Sequence, residues 1–323
     1  MGTLIIVGDC RERLSELPAE SVHCVVTSPP YFGLRDYGVA GQIGLEATPD
    51  AFVAEMVAVF RGVRRVLRQD GTLWLNLGDS YAATTKGSSG VGKNATNKGT
   101  LLADRSWAVP PGLKPKDLIG IPWRVAFALQ ADGWWLRQDI IWSKPNPMPE
   151  SVTDRCTKAH EYLFLLTKSE RYHFDAEVIA EPSLQPLGMK EASSGRGSQH
   201  KQKAIGQQLG RSSTLGANQG PETRNKRSVW TVATQPFAEA HFATFPPALI
   251  EPCILAGSPA GGTVLDPFFG AGTTGLVADR LGRSCIGIEL NPAYAEMARE
   301  RIQSEAPMFS RVEMLATTGA NDG

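Results

Sequence analysis

Near its C-terminal end the chain alternates strand-like and helical segments in an order that leaves few folds open. Thr263–Leu265 reads as a short strand, Thr273–Leu281 as a helix, Ser284–Ile288 as a strand and Pro292–Ile302 as a helix. Strands separated by a helix pair in parallel, through a right-handed crossover. Between the first strand and its helix stands Asp266-Pro267-Phe268-Phe269-Gly270-Ala271-Gly272-Thr273. In an open α/β sheet, ligands bind just beyond the carboxyl ends of the strands. Glycines there let the backbone approach a ligand, and a helix N-terminus presents free N–H groups. The next strand ends at Glu289, 23 positions after Asp266. An acid at that tip can accept bonds from both hydroxyls of a ribose. The pattern predicts a nucleoside-type cofactor site; a purely structural turn is the alternative. Gly270–Gly275 also fits the GxGxxG of dinucleotide sites, but dinucleotide binding leaves Asp266-Pro267-Phe268 unexplained. A ligand carrying an ammonium group needs no phosphate site, and Asp266 would meet that charge.

The N-terminal half has a second strand-end motif. Leu4–Val7 reads as a strand ended by Gly8-Asp9, and Arg11–Leu17 as a short helix before Pro18. Val22–Val26 is a β-branched strand that runs through Thr27 into Ser28-Pro29-Pro30-Tyr31. The two prolines cannot continue a central ladder, so the strand must stop there. They also fix the backbone and leave their carbonyls as free acceptors. Ser28 can hydrogen-bond an exocyclic amine, and Tyr31 offers a ring for stacking on a base. Alone, such a motif is more often an ordinary turn; its pairing with the late glycine loop favours a site. Asp50–Leu67 is predicted as an amphipathic helix with Pro49 at its start, followed by a buried strand over Gly71–Leu77. Ile121–Asp132 reads as a helix, Trp135–Ser143 and Glu161–Lys168 as strands, and Phe245–Ala256 as a helix.

Composition narrows the functional classes. Hydrophobic residues make up 42% of 323, enough for a sizeable core. The five cysteines are scattered with no CxxC pair, which argues against a disulfide framework or a structural zinc site and suits a reducing, cytoplasmic setting; no metal is expected. The first residues lack the basic start of a signal peptide, and no apolar run approaches the ~20 residues of a membrane span. The net charge of +0 hides two basic stretches. Residues 84–116 hold six Lys/Arg against Asp104, and residues 181–228 hold eight against three acids. Two basic loops on an acidic body would bind a polyanion locally, and two solvated loops are the plain alternative. The candidate contacts are Lys86, Lys93, Lys203, Arg211, Arg224, Lys226 and Arg227.

The two motifs together, in this order, resemble the β-group of S-adenosylmethionine-dependent DNA amino-methyltransferases. In that group the (D/N/S)PP(Y/F) motif comes first, target recognition lies between, and DPFxGxGT comes last. The resemblance covers most of the chain. It extends to Trp142-Ser143-Lys144-Pro145-Asn146-Pro147-Met148-Pro149, to the segment from His160 to Lys168, and to His241-Phe242-Ala243-Thr244-Phe245-Pro246. It implies a Rossmann-like class I methyltransferase fold in circularly permuted motif order: a mostly parallel seven-stranded sheet with helices on both faces. The whole chain, 1–323, would be one domain, with a basic flexible loop at 84–116 and a target-recognition insertion or mobile loop over 176–235.

The resemblance also implies roles. Ser28, Pro29, Pro30 and Tyr31 would be catalytic. Asp266, Pro267, Phe268, Gly270, Gly272, Thr273 and Glu289 would bind S-adenosyl-L-methionine, with Phe245 at its methionine end and Asp9 at its adenine. Leu4–Val7 becomes the third cofactor-side strand, displaced to the N-terminus. Serine at position 28 is similar to the cytosine-N4 subgroup, with adenine N6 as the alternative. The partner would be double-stranded DNA, with a separate cognate restriction endonuclease and a monomer or homodimer left open. The target base must leave the helix stack, at a cost of ~a few kcal/mol. Cys10 and Cys24 read as core residues, not as covalent nucleophiles. Three other readings compete. A release-factor or RNA amino-methyltransferase places the cofactor motif first. A catalytically dead DNA-binding subunit would lose Glu289 or Tyr31, and both are present. An NAD-dependent dehydrogenase would differ in a cofactor titration.

Overall fold

A computed structural model describes residues 2–34, 36–82, 109–183, 223–235, 244–305 and 311–315. Its centre is a sheet of nine strands in the order β11-β1-β10-β9-β2-β3-β5-β4-β8. The strands are β1 (Gly2–Val7), β2 (Val22–Thr27), β3 (Leu67–Leu77), β4 (Trp135–Ser143), β5 (His160–Thr167), β8 (Val229–Thr231), β9 (Thr263–Asp266), β10 (Ser284–Glu289) and β11 (Arg311–Leu315). A separate two-stranded ribbon joins β6 (Glu181–Pro182) to β7 (Thr223–Arg224). The expected seven-stranded, mostly parallel sheet is present from β1 to β4. Two short edge strands, β11 and β8, widen it to nine. Within the sheet only the pairs made by β5 are antiparallel.

Helices cover both faces: α1 (Cys10–Glu16), α2 (Pro49–Val66) and α3 (Ile121–Ala131) on one, α4 (Pro247–Gly257), α5 (Thr273–Arg280) and α6 (Pro292–Glu305) on the other. The strands show why. Successive strand residues point to opposite faces, and here both faces are apolar. Ile6, Val25, Leu73 and Leu75 pack with α1–α3, while Ile5, Val7, Cys24, Val26 and Trp74 pack with α4–α6. Local chemistry sets the helix starts. Thr48 accepts from the Ala51 N–H and Pro49 follows it, so α2 begins one residue earlier than expected. Gly120 precedes α3 at φ 79 with no side-chain cap of its own; the Asp79 carboxylate, from just beyond β3, takes the N–H groups of Gly120 and Ile121 at 3.0 and 3.1 Å.

Two expectations on the sheet are corrected. Strand β3 begins at Leu67, not Gly71, because Leu67 already pairs with Val22 before a register shift. Residues 229–231, inside the polar 176–235 stretch, form β8 on the main sheet, pinned by buried Trp230. No described helix is long and apolar enough to cross a membrane.

Candidate active site

The two sequence motifs end neighbouring strands. β2 pairs in parallel with β9, so Ser28–Tyr31 and Asp266–Thr273 emerge from the same end of the sheet. Side chains tie this seam together. The Thr27 hydroxyl donates to Asp266 Oδ1 at 2.6 Å, the Thr274 hydroxyl to Oδ2 at 2.7 Å, and the Phe268 N–H to Oδ1 at 3.1 Å. Asp266 is 1% exposed, and burial pushes its carboxyl up to about 6 against the pull of these bonds. Its carboxylate therefore faces inward and fixes the loop. The carboxylate expected to meet an ammonium group is thus already held by Thr27, Thr274 and the Phe268 N–H.

Glu289 closes the neighbouring strand β10. Its two oxygens accept from the Gly270 N–H at 2.7 Å and the Asn291 N–H at 2.9 Å. Burial pushes its carboxyl up to about 7, with both backbone bonds pulling the other way. β1 lies beside β10, as expected of the displaced third strand, and its Gly8 N–H donates to the Glu289 carbonyl. Asp9 then starts α1. It caps the helix by accepting from the Arg11 N–H at 2.8 Å and is clasped by the Arg11 guanidinium, which also reaches Glu55 and the Gly41 carbonyl. Partial burial raises the Asp9 carboxyl, but the Arg11 bonds outweigh it and hold it below its ordinary value.

The glycines of the loop serve packing as well as access. Gly270 and Gly272 have φ of 52° and 74°, a region that favours glycine. A Cβ on Gly272 would sit 2.8 Å from that of Ala298, and one on Gly287 would strike the Phe269 ring. Arg301 of α6 steadies the same loop through the Ala271 carbonyl and the Thr273 hydroxyl. Phe268 is partly buried, Pro267 is buried, and Phe245 is packed just before α4.

On the other side of the seam Tyr31 packs closely against Gly78, where a Cβ would come within 2.4 Å of its ring. Its hydroxyl donates to Glu161 Oε2 at 2.6 Å, with Asn76 Oδ1 a longer acceptor at 3.1 Å. Burial, then the Glu161 charge, pushes the phenol well above its ordinary value, so it stays a donor. Ser28 and Pro30 are partly buried and Pro29 is buried. Cys10 and Cys24 are buried free thiols, as expected of core residues, and burial pushes both up to about 12.

This geometry meets a family match. The family profile described as DNA methylase covers residues 22–300. The chain belongs to the N6/N4 DNA methylase family. It is 50% identical over 298 residues to the Type II methyltransferase M.SmaI of Serratia marcescens, covering 92% of this chain and 90% of that one. It is 49% identical to M.Cfr9I of Citrobacter freundii over 96% of this chain and 91% of that one. Among solved structures, a putative DNA modification methylase of Thermus thermophilus, complexed with S-adenosyl-L-methionine, superposes with a TM-score of 0.59 at 26% identity, over 98% of this chain and 100% of that one. The cytosine-N4-specific PvuII DNA methyltransferase shares the fold, with a TM-score of 0.61 at 19% identity over 94% of this chain and 91% of that one. This is the class I methyltransferase fold that the motif order implied.

For this methylase the basic residues divide. Lys86, Lys93, Lys203 and Arg211 lie outside the described residues. Arg224 and Arg227 both pair with Glu181, at 2.9 and 2.5 Å, and the Lys226 ammonium stands 5.1 Å from the Trp230 ring centre. Part of that positive charge is therefore already compensated. Sequence reasoning missed Thr27, Thr274, Asn76, Lys144 and Glu161 as site residues. The segments containing Lys144 and Glu161 carried the resemblance, but nothing local showed that Glu161 meets both Tyr31 and Lys144.

Proposed function

We propose that this methylase transfers a methyl group from S-adenosyl-L-methionine to the exocyclic amine of a base extruded from double-stranded DNA, with cytosine N4 as the target. The observation that carries the reading is the seam itself. The Ser28–Tyr31 motif and the cofactor-type loop leave adjacent parallel strands, joined by the Thr27–Asp266 bond of 2.6 Å. The residues fit the cofactor. Glu289 retains carboxylate lone pairs for ribose hydroxyls, Asp9 follows β1 at the start of α1, and Gly270 and Gly272 open the loop backbone. Bound there, S-adenosyl-L-methionine supplies an electrophilic methyl group on a sulfonium centre.

The protein's own part is placement. Tyr31 stacks on the extruded base. The Ser28 oxygen and the Pro29 carbonyl accept from the amine, drawing its lone pair out of ring conjugation and toward the methyl carbon. With the cofactor bound, the amine nitrogen would take the methyl carbon as its bond to sulfur breaks and leaves a neutral thioether, and one amine proton would pass by way of these acceptors to water. Neither Cys10 nor Cys24 supplies a thiolate, since burial holds both protonated. Serine at position 28 supports cytosine N4 over adenine N6. Charge in the 84–116 and 176–235 stretches, including Arg224, Lys226 and Arg227, supports contact with phosphates. Incubation with duplex DNA and cofactor, followed by nucleoside mass spectrometry, tests the reading. N4-methylcytosine is expected. N6-methyladenine would retain the enzyme and replace the target, and no modified base would overturn the proposal.

A further inference from the structure

β5 runs against its neighbours, and that reversal has a chemical result. Its first residues, His160 and Glu161, lie at the sheet end where β3 and β4 finish: Leu77 faces Tyr162 and Ser143 faces His160. Glu161 thus arrives beside Tyr31 from a strand far away in sequence. Three structural segments converge on its carboxylate. Oε2 accepts from the Tyr31 hydroxyl at 2.6 Å and from the Asn76 amide of β3 at 3.3 Å. Oε1 meets the Lys144 ammonium, just past β4, and that ammonium stands 4.2 Å from the Trp142 ring centre. The Asn76 amide is itself held by the Tyr162 carbonyl at 3.0 Å. Glu161 and Lys144 are only 15% and 16% exposed, so the ion pair is shielded from water.

Such a cluster sets a direction. A carboxylate accepts and never donates, so the Tyr31 proton is committed to Glu161. The bond anchors the phenol oxygen while the ring packs closely against Gly78. We propose that Glu161, held by Lys144 and Asn76, is a positioning residue for methyl transfer, fixing the Tyr31 ring in the orientation an extruded base must stack against. The proposal rests on the methyl-transfer reading above and adds a residue that reaches the base only through Tyr31.

The test is a double-mutant cycle in single-turnover methylation of duplex DNA by the full chain, using Glu161→Gln, Tyr31→Phe and the pair. Glu161→Gln should slow transfer on the order of tenfold, with cofactor affinity unchanged. Tyr31→Phe keeps the ring and removes the hydroxyl, so adding Glu161→Gln to it should cost nothing more. If Glu161→Gln does not fold, Lys144→Met with Glu161→Leu removes both buried charges together and should show the same coupling. Penalties that multiply, a wild-type rate in Glu161→Gln, or a loss that tracks cofactor affinity would overturn the proposal. Wild-type protein in the same assay separates the two claims, because its failure to transfer any methyl group would sink the underlying function as well.

Discussion

Two acids at the same end of one sheet are held in opposite ways. Glu289, on the cofactor side, is gripped by two backbone N–H groups of its own loops and pushed up to about 7 by burial. Glu161, on the catalytic side, is gripped by side chains: a tyrosine hydroxyl, an asparagine amide and a lysine. A backbone grip leaves the carboxylate free to take hydroxyl donors from a ligand. A side-chain grip uses the carboxylate to orient its neighbours. On the proposed reading the cofactor half is built to bind and the catalytic half to aim, with Thr27 and Asp266 as the joint between them.

The largest effect should come from breaking that joint. Asp266→Ala strands two buried hydroxyls and a backbone N–H, and should cost about 3 kcal/mol of stability. Denaturant unfolding would show it, and an unchanged midpoint would mean the seam is not held there. On the cofactor side, Glu289→Ala should weaken S-adenosyl-L-methionine binding by ~1.5–3 kcal/mol through lost bonds to a charged acceptor. Calorimetry on the folded variant reads this directly. On the catalytic side, Tyr31→Ala should lose stacking of ~1–3 kcal/mol per base, seen as slower single-turnover transfer of a tritiated methyl group.

The contrast also has a pH signature. Burial raises both Asp266 and Glu289 in the folded protein, to about 6 and about 7. The folded state thus holds these protons more tightly than the unfolded chain. The stability they contribute is complete at acid pH and is lost as pH rises through those values. Cofactor affinity should run the other way, increasing as Glu289 ionises and levelling off above about 7, because the carboxylate is the better acceptor. Calorimetric titrations on either side of neutrality would show the rise, and a flat profile would remove Glu289 from the ribose. The smallest effect belongs to the basic cluster. Neutralising Arg224, Lys226 and Arg227 should flatten the salt dependence of DNA binding only modestly, since Glu181 already pairs with both arginines. An unchanged slope would mark the cluster as surface.

Much of this fold was legible because its signals are local. The β-branched run Val22–Val26, the proline stop after it, and the strand-loop-helix of Thr263–Leu281 each carry their pattern within a few residues. What stayed hidden depends on distance. β11 is a five-residue edge strand whose brief alternation of Arg311, Val312, Glu313 and Met314 is too short to stand out, and almost none of it is buried. β8 is three residues within a polar stretch, and only Trp230 among them is buried. The inward turn of Asp266 depends on Thr27, 239 positions away, and the Arg11 clasp on Asp9 depends on how α1 starts. Glu161 became a site residue only because β5 runs backwards beside β3.

The claim that binding and aiming are separate tasks is tested most directly by one paired measurement. The dissociation constant of S-adenosyl-L-methionine is measured by calorimetry in Glu289→Ala and Tyr31→Ala side by side. The account predicts at least about tenfold weaker binding in the first and wild-type affinity in the second. Equal losses in both, or a loss confined to Tyr31→Ala, would contradict it.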